Sequence, residues 1–126
     1  MTQPFDRLRR RADFVAAGKG TRHHSEDMAV QTRRRDMEGA PRFGITITKK
    51  TAPRAVDRNR IRRRLREALR LGAALCGAQS HDYVIVGRKS LLSLPFEKLR
   101  ASVAGNVEAA TQRSRRRSHA RTVQSG

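Results

Sequence analysis

Residues 57–70 read DRNRIRRRLREALR and hold seven arginines in fourteen positions. Like charges at i,i+3 and i,i+4 destabilise an isolated helix. The segment is therefore helical only if something else holds it, and its apolar residues supply the hold. At about 100° per residue, Ile61, Leu65, Ala68, Leu69 and Gly72 fall within an arc of about 100°, wide enough to pack on a sheet. Arg62, Arg66, Asn59, Arg70 and Arg63 fill the adjoining quadrant. Arg60 and Arg64 point further round, and Glu67 lies between the two groups. A solvated random tract would not keep Ile61, Leu65 and Leu69 in register. The rest of the chain must offer this helix an apolar surface, and packing one face aims the arginines on the other.

Two segments can build that surface. In RFGITITKK, residues 42–50, Phe43, Ile45 and Ile47 alternate with Gly44, Thr46 and Thr48, the period of a half-buried strand. DYVIVGRK, residues 82–89, is a short β-branched run of the kind buried on both faces of a sheet. MAVQTRR, residues 28–34, is a weaker strand, and the GAP turn at 39–41 suggests that it forms a hairpin with the strand after it. Phe5, Leu8, Ala12 and Val15 recur at helical spacing, so a first helix is expected over 5–17, stopped by Gly18 and Gly20. Asp57 is the expected cap of the arginine helix, with a start a residue or two earlier as the alternative. A last helix follows Pro95, with Phe96, Leu99, Val103 and Val107 on one face. From residue 111, TQRSRRRSHARTVQSG has almost no apolar content. The expectation is a single domain over 1–110 and a disordered basic tail over 111–126. With an extra strand before residue 28, the fold class is α+β: a small four-stranded sheet with helices packed on it, in the order α-β-β-β-α-β-α.

The charge balance names the partner class. Lys+Arg total 29 against 11 Asp+Glu, a net charge of +18, and 24 of the 29 are arginine. Arginine grips phosphate with a planar fork and stacks on bases, so a polyanion, most often nucleic acid, is indicated. A membrane surface would want Trp, Phe or Leu across a broad apolar face, whereas this chain has no Trp and the helix stripe is narrow. An acidic protein partner stays open on charge alone. The single cysteine, Cys76, forms no intrachain disulfide and has no zinc spacing with His23, His24 or His81. It reads as a small packed residue. No apolar run approaches a membrane span, and MTQPFDRLRRRADF carries no signal segment, so a cytoplasmic protein is expected. The acids are scattered and mostly flanked by arginine, no carboxylate–histidine constellation occurs, and His23, His24, His81 and His119 read as surface residues. Metal-dependent phosphodiester cleavage needs clustered carboxylates, so no catalytic or metal-binding residue is assigned. Phe14 lies off the Phe5–Leu8–Ala12–Val15 face among Arg7, Arg10 and Arg11. It is a candidate stacking platform for an unpaired base, with a core position as the alternative.

RNRIRRRLREALR resembles the RNR signature of the bacterial ribonuclease P protein component. RADF in the first segment, RFGITITKK before the signature and HDYVIVGRKS after it fall in that family's order and spacing, over roughly residues 5–110. The resemblance implies a ribosomal-protein-like domain with a left-handed β-α-β crossover, a hand that general rules disfavour. It also implies a protein that is an accessory subunit. The ribonuclease P RNA is the catalyst and holds Mg²⁺, and the protein binds that RNA and the single-stranded 5′ leader of precursor tRNA, one protein per RNA. By position, Arg58, Asn59, Arg60, Arg62, Arg63 and Arg66 match the surface facing the catalytic RNA. Phe14, Thr46, Thr48, Lys49 and Lys50 match the leader cleft. The chain departs from the family pattern where many relatives place a second aromatic, a position held here by Gly18. Its connector TAPRAVD also lacks the usual Gly-rich turn. A ribosomal-type RNA-binding protein without a processing role is the alternative, and a nucleoid-type DNA binder would need a dimerising helix or extended arms, neither of which is visible.

Overall fold

The computed structural model describes residues 5–125, with side chains through residue 117. In chain order the elements are β1 (Asp6–Arg7), α1 (Arg11–Gly18), β2 (Thr21–His24), β3 (Met28–Arg34), β4 (Arg42–Thr46), α2 (Ala55–Arg70), β5 (His81–Gly87) and α3 (Phe96–Ser125). Short 3-10 turns at Ala73–Cys76 and Lys89–Leu92 flank β5. One mixed sheet has the order β1-β4-β5-β3-β2. β1, β4 and β5 run parallel, and β3 is antiparallel to both β5 and β2. The α+β class holds, and α2 supplies the crossover between the parallel neighbours β4 and β5.

The sheet has five strands instead of four because the chain from Phe5 to Leu8 is extended, not the first turn of a helix. Asp6 N–H donates to the Pro41 carbonyl at 2.8 Å and Leu8 N–H to that of Phe43 at 2.9 Å. This pairing satisfies backbone groups along the β4 edge. It also sets the Phe5 ring edge-on to Phe43, with centroids 5.7 Å apart. The helical spacing of Phe5, Leu8, Ala12 and Val15 is thus coincidental: Leu8 is buried, whereas Val15 is 50% exposed. Gly20 carries the turn from α1 into β2, where a Cβ would collide with the Thr32 carbonyl oxygen.

The expected hairpin between β3 and β4 does not form, because β5 inserts between them and pairs with both. As the most apolar strand, β5 takes the central place, buried on both faces. The hairpin is instead β2–β3, turning through residues 25–27.

The main core lies on one face of the sheet. Ile61, Leu65, Ala68 and Leu69 of α2 and Leu99, Val103, Val107 and Ala110 of α3 pack on Met28, Val30, Phe43, Tyr83 and Ile85. The predicted α2 stripe is the buried one, although the helix starts earlier: Arg54 is its N-cap and Asp57 sits in its first turn. There the carboxylate faces the positive end of the helix. Cys76 packs half-buried beside this core, and burial pushes its thiol up.

The tail expected from residue 111 is helical through Ser125. Thr111 and Ser114 are buried, continuing the stripe of Val103, Val107 and Ala110 with small residues. The Tyr83 hydroxyl meets the Thr111 hydroxyl at 2.5 Å, which ties the extension to the sheet. Nothing in a pattern of large apolar residues reveals such a stripe, but Ala, Gln and Arg favour the helix. Gly126 and the side chain of His119 lie outside the described residues. His81, expected at the surface, is buried.

Candidate nucleic-acid interface

The basic face of α2 divides by what each guanidinium already holds. Arg58 donates from Nη1 to the Ala52 and Pro53 carbonyls, both at 2.8 Å, so it braces the connector between β4 and α2. Arg64 donates to the Leu91 and Leu94 carbonyls and pins the helix to the chain after β5. Arg70 pairs with Glu67, which holds the Glu67 carboxyl below its usual range. Arg60, Arg63 and Arg66 are exposed, and none makes an ion pair or side-chain hydrogen bond among the described residues. Arg62 Nη1 reaches the Asn59 side-chain oxygen Oδ1 only at 3.4 Å. The packed stripe therefore presents four weakly engaged or unengaged guanidinium groups with Asn59 among them. Such a surface suits phosphate oxygens, which accept paired N–H bonds.

A second site lies on the other face of the sheet, under α1. Here Leu8, Ala17 and Val84 form a small cluster with Phe14 and Val86 against it. Opposed residues share a face, so the register lays two rungs across the sheet. Arg22, Gln31, Val84 and Gly44 form one rung, and His24, Ala29, Val86 and Thr46 form the next. α1 crosses the first rung. The Phe14 ring lies over Gly44, where a Cβ would come within 2.5 Å of its Cε1 and Cζ. The second rung forms an open floor beside the helix, with Val86 and Thr46 only half-buried. Phe14 is half-buried: its ring packs on the sheet over Gly44 and borders a shallow depression with Arg7, Leu8 and Arg9.

Thr48, Lys49 and Lys50 follow β4 and are exposed. The Thr48 hydroxyl accepts the Thr51 N–H at 3.1 Å and meets the Thr51 hydroxyl at 2.9 Å, closing a turn that carries both lysines at its tip. Arg58 holds the carbonyls just past that turn, so the lysine turn and the start of α2 are braced together. The structure therefore brings Phe14 and Thr46 onto one floor and sets Thr48, Lys49 and Lys50 at its β4 end. Sequence reasoning missed Arg22, His24, Gln31 and Val86 on the same face. Their signal was alternation within strands whose pairing partners a local pattern cannot supply. His24 has its pKa lowered by desolvation and then by the neighbouring Arg22 and Arg88 charges, in keeping with a positive floor.

A carboxylate network fixes this face. Asp82 is fully buried and accepts from Arg42 Nε at 2.7 Å, Arg42 Nη2 at 2.6 Å and Arg35 Nη1 at 3.0 Å. Arg42 also approaches Asp13 of α1 at 3.6 Å, which orients the helix over the sheet. The Asp82 hydrogen bonds raise the Arg42 pKa. Asp13, Glu67, Asp82 and Glu97 are thus paired with arginine. Among the described residues, no cluster of three or more His, Cys, Asp or Glu could hold a metal ion, and no helix is long and apolar enough to cross a membrane.

Comparison with known proteins places this arrangement. The profile of the Ribonuclease P family matches residues 3–117. The chain is similar to the ribonuclease P protein component of Brucella suis, with 39% identity over 115 residues covering 85% of this chain and 81% of that protein. It is likewise similar to that of Ruegeria pomeroyi, with 45% identity over 95 residues covering 73% and 75%. Among solved structures, the RNase P protein from Thermotoga maritima matches with a TM-score of 0.70 and 27% identity, over 82% of this chain and 96% of that one. A Staphylococcus aureus RNase P protein mutant shares the fold at a TM-score of 0.71 and 24% identity, over 83% of this chain and 87% of that one. The chain belongs to the bacterial ribonuclease P protein component family, a subunit of the holoenzyme that processes the 5′ ends of tRNA.

Proposed function

We propose that the two faces divide the subunit's work within one RNA-binding domain. The α2 face binds the ribonuclease P RNA through Arg60, Arg62, Arg63 and Arg66. Asn59 lies among them, and Arg58 keeps Nε and Nη2 for phosphate while Nη1 braces the connector. The cleft under α1 takes the single-stranded 5′ leader of precursor tRNA. An unpaired base stacks on Phe14, the strand crosses Thr46, and its phosphates meet Lys49 and Lys50 on the turn shaped by Thr48. Mg²⁺ is held mainly by the RNA, which does the cutting, and one protein serves one RNA in the cytoplasm. The observation that carries this reading is the contrast along α2: the stripe is buried, while Arg60, Arg63 and Arg66 have no counter-ion among the described residues.

The division is testable by equilibrium binding. Arg60→Ala with Arg63→Ala weakens binding to the RNA subunit and leaves the preference for precursor over mature tRNA intact. Phe14→Ala lowers that preference and leaves RNA-subunit affinity intact. If either variant impairs both properties equally, the two-face assignment fails.

A further inference from the structure

The distal half of α3 completes a basic basin on the opposite edge of the sheet from β1 and β4. Lys19 and Ala16 at the end of α1, Arg33 and Arg34 at the end of β3, and Ser114 and Arg117 of α3 surround a cavity of about 250 Å³. Four cations line it, and no carboxylate does. Arg34 also borders an adjoining depression with Ser80, His81 and Arg115, again without a carboxylate. Asp13 of α1 approaches Arg33 Nη2 at 4.0 Å. Arg33 Nε is buried and finds no acceptor among the described residues. A buried donor without a partner is costly, and so is a cluster of like charges, so both observations point to an anion.

The basin is also firmly built. Arg113 donates to the Arg22 carbonyl at 3.0 Å, which fastens α3 over the free edge of β2. Buried Thr111 and Ser114 hold the same turns of α3. His81, beneath the depression, is lowered in pKa chiefly by burial and further by Arg115, Arg34 and Arg35. Neither α2 nor the cleft under α1 uses these groups.

We infer that Lys19, Arg33, Arg34 and Arg117 form a second phosphate site, which holds the backbone of an RNA strand at the β2–β3 edge. The inference rests on the RNA-binding reading above. A concave basin ringed by guanidinium groups suits a phosphodiester, which accepts several charge-assisted bonds at once. With α2 on one strand and this basin on another, the subunit clamps two RNA segments.

The test is the salt dependence of binding by the full chain. Arg34 and Arg117 are exposed, so Arg34→Gln with Arg117→Gln preserves the fold, which thermal melting verifies. Each lost phosphate contact lowers the slope of log affinity against log salt by about 0.7–0.9. The double variant should therefore lose about 1.4–1.8 in slope, so that the affinity ratio between 50 and 200 mM salt shrinks roughly 7- to 12-fold. Arg34→Lys with Arg117→Lys should restore most of the slope. Titrating the RNA subunit and precursor tRNA separately shows which RNA occupies the basin. An unchanged slope with both RNAs, while Arg60→Gln with Arg63→Gln lowers it, overturns the inference and leaves the α2 reading standing. That is also the outcome expected if this surface serves an acidic protein. If neither pair lowers the slope, the RNA-binding reading falls as well. Failure of the lysine variant to restore the slope overturns the phosphate assignment.

Discussion

Gly44→Ala tests how Phe14 is aimed. A Cβ at residue 44 lies 2.5 Å from Cε1 and Cζ of Phe14 and 3.2 Å from Leu8 Cβ. Carbon atoms in contact prefer about 3.5–4.0 Å, so the ring must retreat by about 1 Å or more. The ring is the far end of its side chain and borders an open cleft, so it swings outward while the strands stay paired. Overpacking costs about 1–3 kcal/mol, and this free path puts the cost near the low end. The functional effect is larger. One base–aromatic stack contributes about 1–3 kcal/mol, so losing its aim should lower the preference for precursor over mature tRNA by roughly 5- to 150-fold. Phe14→Leu separates stacking from packing, since leucine still covers Gly44 but has no aromatic face. It should lose the preference with little loss of stability. The assay measures Kd for precursor and mature tRNA on the reconstituted holoenzyme, with thermal melting of each variant. If Gly44→Ala and Phe14→Leu both keep the wild-type ratio, or weaken both substrates equally, Phe14 is a packing residue and the leader assignment is wrong.

Three other outcomes follow from the same geometry. Asp82→Asn leaves Arg35 without its counter-ion and Arg42 with only Asp13, at 3.6 Å. Breaking a buried pair costs about 3–5 kcal/mol, and about 2–4 kcal/mol is expected because the Arg42 side chain keeps 25% exposure; denaturant titration reads it, and a loss below about 1 kcal/mol would refute the network's role. His81 has a pKa below the ordinary 6.5, chiefly through burial, so the unfolded chain binds its proton first as pH falls. Its contribution is fully present above the unfolded pKa and is lost as pH drops below it, so the melting temperature should fall between about pH 7.5 and 5.5, and less steeply in His81→Gln. Gly18 ends α1, and a Cβ there meets only the Gln31 side chain, Oε1 at 3.6 Å and Cδ at 4.0 Å. Gly18→Phe should set a second ring beside the cleft and tighten precursor binding without changing mature tRNA binding, which competition between the two RNAs measures.

Legibility in the sequence followed the range of the interactions involved. The α2 stripe was readable because Ile61, Leu65 and Leu69 are set by local spacing. β4 and β5 were readable from alternation and from a β-branched run. Strand order was not, because the choice of β5 as the neighbour of both β3 and β4 is a non-local competition for the central place. β1 was misread because Phe5 and Leu8 satisfy helical spacing, whereas the open edge of β4 rewards an extended chain. The α3 extension was missed because Ala110, Thr111 and Ser114 are buried without being large or strongly apolar. Within α2, charge counting could not separate Arg64 from Arg63. Arg64 is fixed by carbonyls of Leu91 and Leu94, far along the chain, and Arg63 has no such partner among the described residues.

The most direct test of the central claim is reconstitution. The full chain is mixed with its ribonuclease P RNA and precursor tRNA at low Mg²⁺, and leader removal is timed. Cleavage should be faster than by RNA alone and absent with protein alone, and Arg60→Ala with Arg63→Ala should lose the stimulation. Cleavage by the protein alone, or an RNA reaction that the protein leaves unchanged, would contradict that claim.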